Sequence, residues 1–151
     1  MRFLLSLIPL LSLLSCSLPR MYVIEDPLTA VQHNELGYIY EGQGKLDLAE
    51  KEYTQAVRKK KTWAVPYFNL GNVRFKMGDL KKAEDHYREA LEKDATNPDF
   101  MNNLAYVLCE QGRYDEAEHW ISRALSISRK QEYLDTQKEI LSKKASSPLP
   151  R

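Results

Sequence analysis

The stretch that decides the fold spans residues 64–97, AVPYFNLGNVRFKMGDLKKAEDHYREALEKDATN. It holds two apolar patterns with the period of an amphipathic helix, one before Gly78 and one after it. A glycine that directly follows such a pattern can adopt the left-handed conformation that ends a helix. The stretch therefore predicts two helices joined by a tight turn, with the chain reversing at Gly78.

The same pattern occurs three times along the chain, at a spacing of 34 residues. Its columns stay in register over all copies without an insertion, which chance does not produce. One helix pair cannot bury both of its apolar faces, so the pattern predicts that three pairs stack on one another. The columns are Leu36, Leu70 and Leu104; Gly37, Gly71 and Ala105; Gly44, Gly78 and Gly112; Ala49, Ala83 and Ala117; Tyr53, Tyr87 and Ile121; and Ala56, Ala90 and Ala124.

The middle copy resembles the tetratricopeptide repeat, whose signature positions are filled here by Tyr67, Leu70, Gly71, Gly78, Ala83, Tyr87 and Ala90. The resemblance implies an all-α solenoid of three helix pairs, with repeats at 30–63, 64–97 and 98–131 inside a domain spanning 29–145. The sequence departs from the family at Arg74, which takes a usually apolar core position, and in the column where the family has proline. That column holds Lys61, Ala95 and Arg129.

Small residues in the first helix of each pair are expected to let its two backbones approach closely. We expect Gly37, Gly71 and Ala105 to meet the alanines of the second helix. Residues 131–144 lack the repeat's glycines and predict a capping helix on the last pair. Its packed face is expected to carry Tyr133, Leu134, Gln137, Ile140 and Leu141. The polar, proline-rich residues 146–151 predict a disordered tail.

The first fifteen residues have the form of a signal peptide, with Arg2 before an apolar run from Phe3 to Leu14. The run is about 12 residues, or roughly 18 Å of helix, against a hydrocarbon core of roughly 30 Å. The ending Leu-Leu-Ser-Cys at 13–16 resembles the lipobox of bacterial lipoproteins, which implies cleavage before Cys16 and acylation of its thiol. A plain secreted protein and a retained helical anchor are the alternatives.

A lipidated Cys16 would anchor the domain to a membrane through a tether at 16–28, which contains Pro19 and Pro27. This predicts a place in the bacterial cell envelope, and the outer membrane if the organism has two membranes.

The composition excludes several functional classes. With 22 basic and 21 acidic residues, the net charge of +1 draws the chain to no nucleic acid. Two cysteines and three widely spaced histidines argue against a disulfide scaffold and against a metal site. We expect no cofactor, no metal and no catalytic residue. An enzyme hypothesis would have to rest on Cys109, His86 or His119.

Residues 58–61, Arg-Lys-Lys-Lys, form the one marked charge run. A solvated helix end complementing the negative helix terminus is the simplest interpretation. Anionic lipid headgroups are a second, because the domain is expected to be tethered near a membrane. Nucleic acid is the third.

The resemblance also implies a concave groove lined by the first helix of each pair. Asparagine amides there could grip a peptide backbone, while aromatic rings bury the partner's apolar side chains. The alternative is that these are ordinary surface residues without a ligand. The expected groove residues are Asn34, Tyr38, Phe68, Asn69, Asn72, Phe75, Asn102, Asn103 and Tyr106.

The sequence therefore predicts a non-catalytic lipoprotein of the cell envelope that binds a protein or peptide segment, as a scaffold or assembly factor for an envelope complex. The alternative is an accessory subunit that positions substrate for a separately encoded envelope peptidase. A terminal carboxylate is disfavoured as the ligand, because Asn34, Asp99 and Asn103 stand where carboxylate-binding members of the family have basic residues.

Overall fold

The structure, a computed structural model, describes residues 26–147. Within this range it contains helices only, which confirms the predicted all-α fold. The proposed signal peptide, Cys16, most of the tether and most of the tail lie outside the described residues. The helices are α1 (Ala30–Gly42), α2 (Leu46–Lys59), α3 (Ala64–Lys76), α4 (Leu80–Lys93), α5 (Pro98–Glu110), α6 (Tyr114–Ile127) and α7 (Gln131–Ser146).

The helices form three antiparallel pairs, α1 with α2, α3 with α4 and α5 with α6. The second helix of each pair packs against the first helix of the next pair, and α7 packs on α6 and α5. Each pair turns at a glycine in the left-handed region, with φ of 72° at Gly44, 81° at Gly78 and 76° at Gly112. The predicted solenoid of three pairs and a C-terminal helix is therefore confirmed, and its turns depend on a conformation that costs glycine little.

The closest approach within a pair involves a side chain that the sequence did not predict. A Cβ atom at Gly37 would lie 2.7 Å from the ring of Tyr53, and one at Gly71 would lie 2.4 Å from the ring of Tyr87. The glycines therefore make room for a buried tyrosine ring of the facing helix. A side chain in place of either glycine would displace that ring. In the third pair, Ala105 stands in the glycine column and Ile121 stands in the tyrosine column. Both side chains are fully buried.

Burial is uneven along the solenoid. In the leucine column, Leu104 and Leu70 are buried while Leu36 is only half-buried. Tyr38 and Ile39 of α1 are also exposed, by 72% and 52%. These residues belong to the first pair, and among residues 26–147 no earlier pair covers it. The core is therefore concentrated around α5, which is packed on both sides.

The packed face of α7 differs from the predicted one. Tyr133 and Ile140 are fully buried and Thr136 is 8% exposed, whereas Leu134 and Leu141 are 38% and 47% exposed. The buried positions follow the spacing i, i+3, i+7, so the face that meets α5 and α6 is narrower than expected and both leucines lie at its edge.

A buried carboxylate links the second and third pairs. Glu84 of α4 is 2% exposed and accepts hydrogen bonds from Arg113 at 2.7 Å and from Arg88 at 3.1 Å. Burial raises the pKa of Glu84, but the hydrogen bonds from Arg113, Arg88 and Gln111 outweigh it and lower the pKa to about 2. Arg74, at the usually apolar position, pairs in a similar way with Glu50 of α2.

Candidate binding groove

Side chains of α1, α3 and α5 meet on one face of the solenoid, which we call the groove. Asn69 Nδ2 donates to Asn34 Oδ1 at 2.9 Å, which joins α3 to α1. Asn103 Nδ2 donates to Asn72 Oδ1 at 3.0 Å, which joins α5 to α3. The predicted asparagines are therefore brought together. Each hydrogen bond joins asparagines at different positions of two successive repeats, and not asparagines of one column.

Tyrosines of the second helices pass between the helices of their own pair and contact groove residues of the first helices. The Tyr87 ring passes Gly71, and its hydroxyl donates to Asn72 Oδ1 at 2.8 Å. Tyr53 passes Gly37 in the same way and donates to Glu41 Oε2 at 2.7 Å. Burial raises the pKa of Tyr87, so its hydroxyl keeps its proton and remains a donor.

These bonds fix the direction of the Asn72 amide. Its Oδ1 accepts from both Asn103 and Tyr87, while its Nδ2 has no hydrogen-bond partner among residues 26–147. The Nδ2 group of Asn34 is in the same situation, since its Oδ1 accepts from Asn69. The groove therefore offers N–H donors whose orientation is set by the repeats themselves.

A pocket of about 370 Å³ opens in the groove where α1, α3 and α5 meet. Phe75 and Tyr106 form one wall, with their rings edge to face and 5.5 Å apart. Such a pocket has apolar walls for a side chain and polar groups for the backbone that carries it. The lining residues are Glu41, Asn72, Phe75, Lys76, Tyr87, Asn103, Tyr106 and Val107.

The carboxylates along the groove are paired with lysines of the next helix in the layer. Glu41 lies 2.9 Å from Lys76. Asp99 of α5 lies 2.6 Å from Lys130, and Glu110 lies 2.5 Å from Lys143. Although burial acts to raise the pKa of Asp99, Lys130 and the Tyr133 hydroxyl lower it overall. The pairing of these three carboxylates leaves amides and aromatic rings as the main groups that this part of the groove presents.

The other predicted groove residues occupy different settings. Tyr38 is the most exposed, at 72%. Phe68 is half-buried and stacks on Phe100, with ring centroids 4.7 Å apart, so most of it belongs to the core. Asn102 is 9% exposed, and its buried Oδ1 has no hydrogen-bond partner among the residues that the structure describes. Asn102 therefore adds little surface to the groove.

The sequence does not predict that Tyr87 and Val107 line the pocket. Val107 lies one residue from the predicted Tyr106, and Tyr87 belongs to the second helix of its pair. The pairing of a glycine column with a tyrosine column is the signal that could have placed the Tyr87 hydroxyl in the groove.

The three residues on which an enzyme hypothesis would rest, Cys109, His86 and His119, each have different neighbours. Cys109 is 1% exposed, and burial raises the pKa of its thiol, which disfavours the reactive thiolate. His86 contacts Glu89 at 2.9 Å on the same helix. The His119 ring packs edge to face against Trp120 at 5.7 Å. These neighbours place no nucleophile beside a base.

The part of the chain that the structure describes holds no group of three or more metal-binding side chains suited to an ion. Between residues 26 and 147, none of the helices combines the length and hydropathy required to cross a bilayer.

Comparison with known protein families gives two matches. Two family profiles, each described as tetratricopeptide repeat, match residues 33–58 and 74–140, together more than half of the chain. No curated protein matches the sequence significantly.

Solved structures share the fold at low sequence identity. The first TPR of Spaghetti (RPAP3), bound to the HSP90 peptide SRMEEVD, has a TM-score of 0.75 and 21% identity, over 83% of this chain and 100% of that chain. The Arabidopsis OM64 TPR domain has a TM-score of 0.72 and 18% identity, over 75% and 94%. The second TPR domain of human RPAP3, in complex with the HSP70 peptide SGPTIEEVD, has a TM-score of 0.71 and 17% identity, over 74% and 94%.

Proposed function

The chain belongs to the tetratricopeptide-repeat family, and on that premise we propose that it is a non-catalytic module that binds a segment of another protein in the groove. The observation that carries the proposal is the Asn72 amide. Its Oδ1 is held by Asn103 and Tyr87, which leaves its Nδ2 free to donate, and the residue lines a pocket together with Phe75 and Tyr106.

The groove chemistry suits a peptide backbone. The oriented Nδ2 groups of Asn34 and Asn72 can donate to backbone carbonyls whatever the ligand's side chains are. The pocket beside Asn72 can bury one apolar or aromatic side chain, which supplies most of the binding free energy. Two solved relatives with this fold carry bound peptides, which supports the proposal.

The charge of the groove favours a ligand that differs from those two peptides, which both end in the acidic sequence Glu-Glu-Val-Asp. Lys76, Lys130 and Lys143 each lie beside a carboxylate of this chain, so little unpaired positive charge is left for an acidic terminus. We therefore favour an internal segment with an apolar anchor residue over a terminal carboxylate.

The cellular role follows from the N-terminal sequence. Acylation at Cys16 would hold the domain at a membrane of the bacterial envelope, the outer one if there are two. There the groove would retain or assemble another envelope protein, so the chain would act as a scaffold or assembly factor. If the bound protein were a peptidase, the chain would instead be an accessory subunit that positions its substrate.

Affinity capture with a groove variant tests the proposal. The full chain is immobilised, exposed to detergent-solubilised membranes of the source cells, and the retained protein is identified by mass spectrometry. Asn34→Ala with Asn72→Ala should weaken capture about tenfold or more, because the two hydrogen bonds that these amides would donate to the ligand are worth roughly 1 kcal/mol each. Ser122→Ala with Ser126→Ala, on exposed positions of α6, should leave capture unchanged.

Circular dichroism at the capture temperature checks that both variants are folded. Equal capture by the groove variant and the α6 variant would contradict the proposal.

A further inference from the structure

The turn between α2 and α3 carries basic side chains that form no ion pair with the described residues. Arg58, Lys60 and Lys61 are exposed, and no carboxylate among residues 26–147 lies within ion-pair distance of them. Lys59 differs, since its Nζ lies 3.5 Å from Asp26 Oδ2 and donates to the Asp26 carbonyl at 2.7 Å. We call Arg58, Lys60 and Lys61 the basic turn.

Aromatic side chains lie beside the basic turn. Lys60 Nζ is 5.8 Å from the centroid of the half-buried Trp63 ring. The Tyr67 hydroxyl donates to the Lys61 carbonyl at 3.1 Å, and Lys93, at the end of α4, lies 5.7 Å from the centroid of the Tyr67 ring. Lys93 thus extends the same surface.

Two acidic residues stand near this extension. Glu92 lies 3.6 Å from Lys93, and the Asp94 carboxylate accepts from the backbone N–H of Thr96. The surface keeps an excess of positive charge next to two amphipathic rings. Complementing the negative end of α2 explains charges in its last turn, such as Arg58, but explains neither Lys61 beyond the helix nor Trp63.

The basic turn is on the side of the domain where the chain enters it, because Lys59 contacts Asp26. Cys16 precedes Asp26 by ten residues, which span at most about 36 Å when fully extended. A bilayer that holds the chain upstream of Asp26 therefore lies within a short reach of the basic turn.

We propose that the basic turn and Trp63 dock this end of the domain on an anionic bilayer surface. Lysine and arginine gain several-fold in binding per residue near anionic headgroups, and tryptophan favours the boundary between headgroups and acyl chains. Docking through this turn points the glycine turns Gly44, Gly78 and Gly112 away from the membrane and leaves the groove open from the side. The proposal does not depend on what the groove binds.

Tryptophan fluorescence tests this docking in the full chain, which has two tryptophans, Trp63 and Trp120. Trp120→Phe leaves Trp63 as the sole reporter, and Trp63→Phe leaves Trp120 on α6. Each protein is bound to vesicles of brominated phosphatidylcholine, with or without brominated phosphatidylglycerol. Trp63 should be quenched only on vesicles that contain phosphatidylglycerol, and about 0.5 M salt should remove the quenching because it screens exposed charges. Trp120 should not be quenched.

A charge-matched pair of variants isolates the basic turn. Arg58→Gln, Lys60→Gln and Lys61→Gln together should abolish the quenching of Trp63. The control, Lys45→Gln, Lys51→Gln and Lys138→Gln, removes the same charge from exposed lysines elsewhere and should retain it. Equal quenching of Trp63 on both kinds of vesicle, or in both triple variants, would overturn the proposal. So would binding of a single-stranded RNA that is lost in the basic-turn variant while Trp63 stays unquenched on vesicles.

Discussion

The ring of Tyr87 occupies the space that any side chain at Gly71 would need. A Cβ atom at Gly71 would lie 2.4 Å from Cε1 of the ring. The far end of the ring is also held, because the Tyr87 hydroxyl donates to Asn72 Oδ1 at 2.8 Å. One glycine therefore determines both the packing of the second pair and the orientation of an amide in the groove.

Replacing Gly71 by alanine should destabilise the domain by about 1–3 kcal/mol, because the Tyr87 ring cannot withdraw without losing its bond to Asn72. The control is Gly42→Ala, since Gly42 is helical and has no heavy atom within 4 Å of the added Cβ. That change should be neutral or stabilise by up to about 1 kcal/mol. Urea unfolding measures both, and equal stability of the two variants would show that the contact is misplaced.

The third pair suggests a rescue of this substitution. Ala105 and Ile121 stand where the second pair has Gly71 and Tyr87, and both are fully buried. The cost of Gly71→Ala should therefore be smaller when Tyr87 is already isoleucine. A double-mutant cycle measures the coupling. Additive costs would argue against a direct contact between the two positions.

Acid should weaken the link between the second and third pairs. The pKa of Glu84 is lowered from 4.5 to about 2, so its contribution is complete above pH 4.5 and is lost as the pH falls from about 4.5 to about 2. The contribution is at most about 3 kcal/mol. The free energy of unfolding of the wild type should fall more steeply over this interval than that of Glu84→Gln. Parallel pH profiles would mean that Glu84 carries no such charge interaction.

Neighbouring residues of α7 should respond very differently to truncation. Ile140 is fully buried, so Ile140→Ala should cost about 2–4 kcal/mol. Leu141 is 47% exposed, and Leu141→Ala should cost less than about 1 kcal/mol. Thermal unfolding of the two variants checks the order, and comparable costs would restore the face predicted from the sequence, which contained both residues.

Membrane attachment should depend on Cys16. The change Cys16→Ser removes the thiol that would be acylated, so the protein should leave the membrane fraction and lose incorporation of labelled palmitate. Fractionation of cells expressing each form measures this. Continued membrane retention without label would instead indicate a retained N-terminal helix.

The repeated spacing of 34 residues was enough to predict the helix pairs and their turns, because glycine at Gly44, Gly78 and Gly112 marks a backbone conformation directly. The partners of Gly37 and Gly71 were not predictable in the same way. A small residue signals close approach but not which atoms approach, and the tyrosine ring is long enough to reach across from the next turn of the facing helix.

The groove shows a similar limit. The resemblance identified Asn72, Asn103, Phe75 and Tyr106, which meet around one pocket. It could not show that the asparagine amides bond to each other diagonally, since this depends on the rotation between successive pairs. The exposed leucines of α7 were not predictable for a similar reason. Helix periodicity indicates which broad face of a helix is apolar, but the packing of the neighbouring helices determines which residues of that face are buried.

Photo-crosslinking from inside the groove tests the central claim most directly. A benzophenone amino acid replaces Lys76, which borders the pocket with 52% of its side chain exposed, in the full chain expressed in its own cells. The control probe replaces Ser122, an exposed residue of α6. The account predicts a discrete adduct from position 76, with the same protein that affinity capture identifies, and none from position 122. An adduct that forms from position 122 and not from position 76 would contradict it.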